Sequence, residues 1–206
     1  MNRNLLFVGL LSLLLAGCLG SPTRPSTFYV LSPDTAAPLP GRAAPAAPLS
    51  IGLGPLQLPD LFDRPQIVTR PDANRIDLAE YDRWGGELNK DLGRVMAQNL
   101  MGRLNTDAVL LYPWPSIRRL DFEVTVQFFR FDGELGKAAE LEGVWRLLDG
   151  GQRCEHASRR FRIEEPAAGS GYAGLVSAIS RAVARLSDDI ATAVAGATTG
   201  CKPGGG

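Results

Sequence analysis

The residues of this chain that could carry out chemistry are few. Its one histidine, His156, stands beside Cys154 and Glu155 in the polar run "RCEHASRRF". Residues two apart on a strand share a face, so Cys154 and His156 have the geometry of a nucleophile and its base. No motif surrounds them, however, and a solvent-facing histidine near an oxidised cysteine is the plainer reading. The chain has no G-x-S-x-G elbow, H-E-x-x-H helix or phosphate-binding P-loop. Gly52 and Gly54 in "GLGPLQLP" lead into a proline and open no helix, which does not suit a phosphate cradle. The cysteines and the histidine lack zinc-ligand spacing, so neither a metal nor any other cofactor is expected. These absences point away from an enzyme and toward residues that act by contact.

Two kinds of contact residue stand out. "DRPQIVTR" (63–70) places Asp63, Arg64, Pro65 and Gln66 ahead of the apolar pair Ile67-Val68. It reads either as a partner-binding edge or as a strand braced at its start by an Asp63–Arg64 ion pair, since Pro65 suits a strand start or an edge. "YDRW" (81–84) adds Arg83 and Trp84. Trp84 is expected to pack where a helix starts, and it is also a candidate anchor. "YPWP" (112–115) holds Tyr112 and Trp114 around Pro113. Rigid aromatics and arginines are the side chains that dominate protein interfaces. Trp114 is either presented to a partner or tucked over the end of a sheet. Arg153, Arg159, Arg160 and Arg162 form a further basic cluster, read as an ordinary solvated surface or as a headgroup- or partner-binding patch.

Composition narrows the setting of these contacts. The chain has 206 residues, 45% of them hydrophobic, which suits one domain with a real core plus appendages. Lys plus Arg and Asp plus Glu are each 22, so there is no basic field of the kind that nucleic-acid binding demands. Residues 1–17 read as a secretory signal: Arg3 is followed by an apolar run, Leu5 to Leu15, too short to span a bilayer. "LAG" then precedes Cys18, which resembles a lipobox whose cysteine is acylated and becomes the first residue of the mature chain. Leu19 after that cysteine is compatible with outer-membrane delivery. Cys154 and Cys201 remain, in a compartment that permits disulfides. They either bridge, stapling the tail to the body, or stay as two thiols.

The elements that must hold these residues follow from periodicity. Residues 18–26 form a tether from Cys18, and 27–197 form one periplasmic domain. "TFYVL" (27–31) is a first strand, and residues 32–50 form an extended Pro/Ala-rich loop. Residues 51–59, the stretch around 63–70, and 74–81 read as three short strands of a meander. Leu88, Leu92, Val95, Met96, Leu100 and Leu104 mark one face of a helix over 86–104. A short strand (108–112) and a strongly alternating one (119–131) follow. Residues 138–165 then form two strands around the turn "DGG". Leu175, Ile179, Val183, Leu186, Ile190 and Val194 mark a second helix over 171–195, and 198–206 is a flexible tail. The predicted fold is two-layer α+β: a largely antiparallel or mixed β-sheet with two long amphipathic helices packed on one face.

Taken in order, the lipobox, "TFYVL", "IGLGPLQLPDLFDRPQIVTR", "IDLAEYDRWGGEL" and "LLYPW" resemble the ABC-type transport auxiliary lipoprotein family, that of paraquat-inducible protein C (PqiC/YmbA-like). The resemblance covers nearly the whole mature chain. The 32–50 loop and the Cys154/Cys201 pair are departures from it. It implies a lipid-anchored, periplasm-facing protein of the outer membrane without catalytic residues, working by contact. Its implied partner is an MCE-domain protein of an intermembrane lipid transport system, and a homo-oligomer is left open. The other reading is an envelope lipoprotein that activates or scaffolds a cell-wall synthase, which would not need the "DRPQIV" and "YDRW" set.

Overall fold

The computed structural model describes residues 24–34, 49–115, 119–151 and 154–197. Cys18, Arg153, Cys201, the signal segment, most of the Pro/Ala-rich loop and the C-terminal tail lie outside the described residues. Among the described residues, eight strands and two helices occur in the order β1 (Thr27–Tyr29), β2 (Ile51–Gln57), β3 (Gln66–Asp72), β4 (Arg75–Trp84), α1 (Leu88–Leu104), β5 (Val109–Leu111), β6 (Phe122–Gly133), β7 (Ala138–Asp149), β8 (Glu155–Pro166) and α2 (Tyr172–Gly196). The class is α+β, as the periodicities predict.

The larger sheet has the order β5-β2-β6-β7-β8. β2 runs parallel to both β5 and β6, whereas β6–β7 and β7–β8 are antiparallel hairpin pairs. Alternation on β6 sends Phe122, Val124, Val126 and Phe128 into the core. The register sets Val124 opposite Leu147 and Val126 opposite Trp145, so the inward row continues across the strands. α1 lies over β2 and β5, α2 lies over β7 and β8, and the helices pack against each other. All twelve residues of the two helical stripes are buried. Each such side chain contributes about 1.5–3 kcal/mol by leaving water, so the stripes alone go far toward fixing the layer. α1 ends at Asn105 in the left-handed conformation (φ 50°), a residue type that tolerates it.

The three-strand meander does not form. β2 joins the larger sheet, while β3 and β4 make a hairpin in a second sheet of order β1-β4-β3, with β1 parallel to β4. The reason lies in the burial pattern. β2 is buried at every residue from Ile51 to Gly54, as suits a strand flanked by parallel neighbours and covered by a helix. β4 is mostly exposed along its first half. The small sheet is fastened to the large one by charge: Arg70 of β3 meets the fully buried Asp132 of β6 at 2.7 Å, and Arg130 meets the same carboxylate at 2.6 Å.

After β1 the chain crosses the seam between the helices. Leu31 is buried there. Its N–H donates to Asp91 of α1 (2.7 Å), and the Ser32 N–H donates to the Ser180 hydroxyl of α2 (3.1 Å). The Asp34 N–H donates to buried Asn99 (2.8 Å). Arg103, 2% exposed, pairs with both Asp34 and Asp188.

Candidate functional site

The aromatic corner is built by β2 and the residues just after β5. The Tyr112 N–H donates to the Leu53 carbonyl (3.0 Å), which carries the β2–β5 pairing one residue past the strand. Tyr112 and Trp114 meet edge to face, with ring centroids 5.4 Å apart. The Trp114 ring rests over the backbone of Gly52, where a Cβ would lie only 2.9 Å from Cη2. Gly54, at φ +123°, sits against Tyr112 in the same way. Both X-Pro bonds of the corner, Gly54–Pro55 and Tyr112–Pro113, are cis. The two glycines that look like a failed phosphate loop are therefore the floor of the aromatic corner. Their spacing of two, matched to the Tyr112/Trp114 spacing of two, is the signal that could have revealed it. Trp114 is half-buried rather than fully presented, while Tyr112 is 58% exposed and Leu111 beside it is also exposed.

The "DRPQ" and "YDRW" residues come together in the small sheet. Gln66 pairs in register with Arg83, and the Trp84 N–H donates to the Pro65 carbonyl (2.8 Å). Trp84 is buried in the core, which removes it from the candidate anchors. Asp63 and Pro65 are exposed, whereas Arg64, Gln66 and Arg83 are half-buried. The Asp63–Arg64 brace is not made: among the described residues no ion pair involves either one. The Nε atoms of Arg64 and Arg83 are both buried without a hydrogen-bond partner. On the inner side, buried Asp82 accepts from the Tyr29 hydroxyl at 2.8 Å. Burial first, and then this carboxylate, pushes the Tyr29 phenol upward.

The nucleophile reading of Cys154 and His156 does not survive. Cys154 is disulfide-bonded, so it offers no thiolate. His156 stacks edge to face on Phe122 (5.5 Å), with Nε2 3.9 Å from Asp149 Oδ1. The arginine cluster is divided between partners. Arg159 turns to the helical layer, bonding Asp189 at 2.8 Å and lying 5.6 Å over the Trp145 ring. Arg162 reaches Glu140 and Glu142 on the other side. Arg159 and Arg162 are thus paired, while Arg160 is exposed and makes no ion pair among the described residues.

Comparison with solved structures finds the same fold elsewhere. One crystal structure of an uncharacterized protein superposes with a TM-score of 0.68 at 18% identity, covering 83% of this chain and 99% of its own. A Xanthomonas campestris protein of the DUF330 family model gives 0.67 at 20% identity, over 82% of this chain and 96% of its own. No curated protein matches the sequence significantly. The family model for the ABC-type transport auxiliary lipoprotein component matches residues 29–191. That span runs from the end of β1 through most of α2 and takes in the aromatic corner as well as Arg64 and Arg83. The chain thus belongs to the family of ABC-type transport auxiliary lipoprotein components.

Proposed function

We propose that this protein is the lipid-anchored periplasmic auxiliary component of an MCE/ABC-type intermembrane lipid transport system, acting by contact at the outer membrane. Acylated Cys18 is the anchor, and the Tyr112-Pro113-Trp114 corner is the partner-binding surface. The observation that carries the contact reading is the corner itself. Two aromatics are held over a glycine floor with Tyr112 open to solvent, and the one nucleophile candidate is tied up in a disulfide. Rigid aromatic surfaces of this kind concentrate binding energy at interfaces. The lipobox at Cys18 and the family's role in transport support the anchor and the setting.

The experiment is co-purification of the lipidated protein with a membrane-anchored MCE-domain protein, comparing wild type with Trp114→Ala. The variant is expected to stay folded and to bind at least about fivefold more weakly, a loss of about 1 kcal/mol or more. Unchanged association would remove the corner from the interface. Co-purification with a cell-wall synthase instead would overturn the transport assignment.

A further inference from the structure

The small sheet and the bend just before β3 carry two cations, Arg83 and Arg64, that have no counter-charge among the described residues. Arg83 of β4 is the register partner of Phe28 on β1 and of Gln66 on β3, so these three side chains share one face of the sheet. Arg64 precedes this row by two residues. Neither guanidinium makes a hydrogen bond or ion pair among the described residues, and both Nε atoms are buried. Nearby carboxylates do not serve them: among the described residues neither Glu80 nor Asp63, both exposed, makes an ion pair with either arginine. An arginine donor shielded from water and unpaired costs free energy until an acceptor arrives, and the planar fork matches phosphate oxygens best. Around these cations stand exposed apolar groups, Phe28 at 65% and Val30 at 58%.

The chain outside the described residues says what meets this face. β1 lies three residues after Arg24, and Arg24 follows Cys18 by only six positions. Six residues reach at most roughly 20 Å when fully extended. An acyl group on Cys18 therefore confines the small sheet to the neighbourhood of the lipid surface. We propose that the outer face of the β1-β4-β3 sheet docks on that surface, Arg64 and Arg83 taking the phosphates of anionic lipid headgroups while Phe28 and Val30 enter the interfacial layer. This rests on the lipoprotein reading above and gives that anchor a second, protein-borne contact. A basic apolar patch beside the acyl anchor adds to the hold and fixes how the domain sits on the surface.

The test uses the mature chain from residue 18 with Cys18→Ser, which cannot be acylated, and vesicles of phosphatidylcholine with or without phosphatidylglycerol. The unacylated protein is expected to partition onto the phosphatidylglycerol vesicles and to come off as salt is raised. The double variant Arg64→Gln/Arg83→Gln is expected to partition about thirtyfold more weakly, at about 1 kcal/mol per arginine. Its thermal unfolding should match wild type, since it loses no paired charge. Phe28→Ser is expected to weaken partitioning at every salt concentration. Equal binding to both vesicle types, or a folded double variant that still prefers phosphatidylglycerol, would overturn the proposal. So would a double variant that keeps its vesicle binding and loses a protein partner. Acylation of Cys18 is read separately, from the mass of the N-terminal peptide of protein made in cells. Vesicle failure with Cys18 acylated sinks this inference alone, and a missing acyl group sinks the lipoprotein reading.

Discussion

At Gly52 the absent side chain decides the local structure. A Cβ there would meet Leu120 Cδ1 at 2.6 Å and the Trp114 ring at 2.9 Å, so Gly52→Val must push the indole off its seat. Overpacking of this kind costs about 1–3 kcal/mol. Trp84 and Trp145 are buried in the core, so a red shift in tryptophan fluorescence would report Trp114 leaving its place. Unchanged fluorescence and stability would mean that the ring does not depend on the glycine floor. His156 is the contrasting residue. It contacts Phe122 and approaches Asp149, but its neighbour Cys154 has no free thiol. His156→Ala should therefore lose some packing and leave function in cells intact. Loss of function in a variant that folds, localises and still binds its partner would reopen the enzyme reading.

Among the elements, the short segment Leu31–Asp34 does more than link β1 to the loop. It fills the seam between α1 and α2, and its N–H groups at 31, 32 and 34 all donate to helical side chains. Asn99 holds the far end and also donates to Ser187 of α2 (3.4 Å). Asn99→Leu keeps the volume and strands the Asp34 N–H, a loss of about 1–3 kcal/mol. Faster amide exchange at residues 31–34 is expected, and exchange that did not change would show the segment to be held by Leu31 alone. None of this was legible in the sequence, for a physical reason. Both helical stripes were read correctly because a 3.6-residue apolar period reports burial directly. Asn99 and Arg103, however, are polar residues buried by a segment sixty-five or more positions away, and no local period encodes that. The same limit explains the meander. β2, β3 and β4 were each visible as strands, but alternation does not say which sheet a strand joins. Nor does it announce that "DRPQ" and "YDRW" meet across β3 and β4. Trp84, although in one of them, belongs to the core.

On the scale of the whole molecule, α2 runs antiparallel to β8, and a ladder of contacts records it. Arg181 donates to the Pro166 carbonyl, Arg185 to the Glu164 carbonyl, and Arg159 to Asp189. As the helix advances toward its C-terminus, its partners step back toward the start of β8, where Cys154 precedes Glu155. Cys154 is disulfide-bonded, and the chain has two other cysteines, Cys18 and Cys201. If Cys18 carries acyl chains on its sulfur, Cys201 is the one that remains. It follows the end of α2 by five residues, and the ladder leads that end of the helix toward the head of β8. We therefore expect a Cys154–Cys201 bridge that ties the C-terminal segment to the head of β8. With 46 residues between the two cysteines, the chain-entropy estimate gives about 4 kcal/mol of stabilisation. Cys201→Ser should lower the denaturant midpoint accordingly without altering the fold, and a reductant should do the same to wild type but not to the variant. Alkylation of unreduced protein taken from the periplasm, followed by mass measurement, reads the bridge directly. Protection of both cysteines is expected, released together on reduction, and two alkylated thiols at the outset would eliminate the pairing.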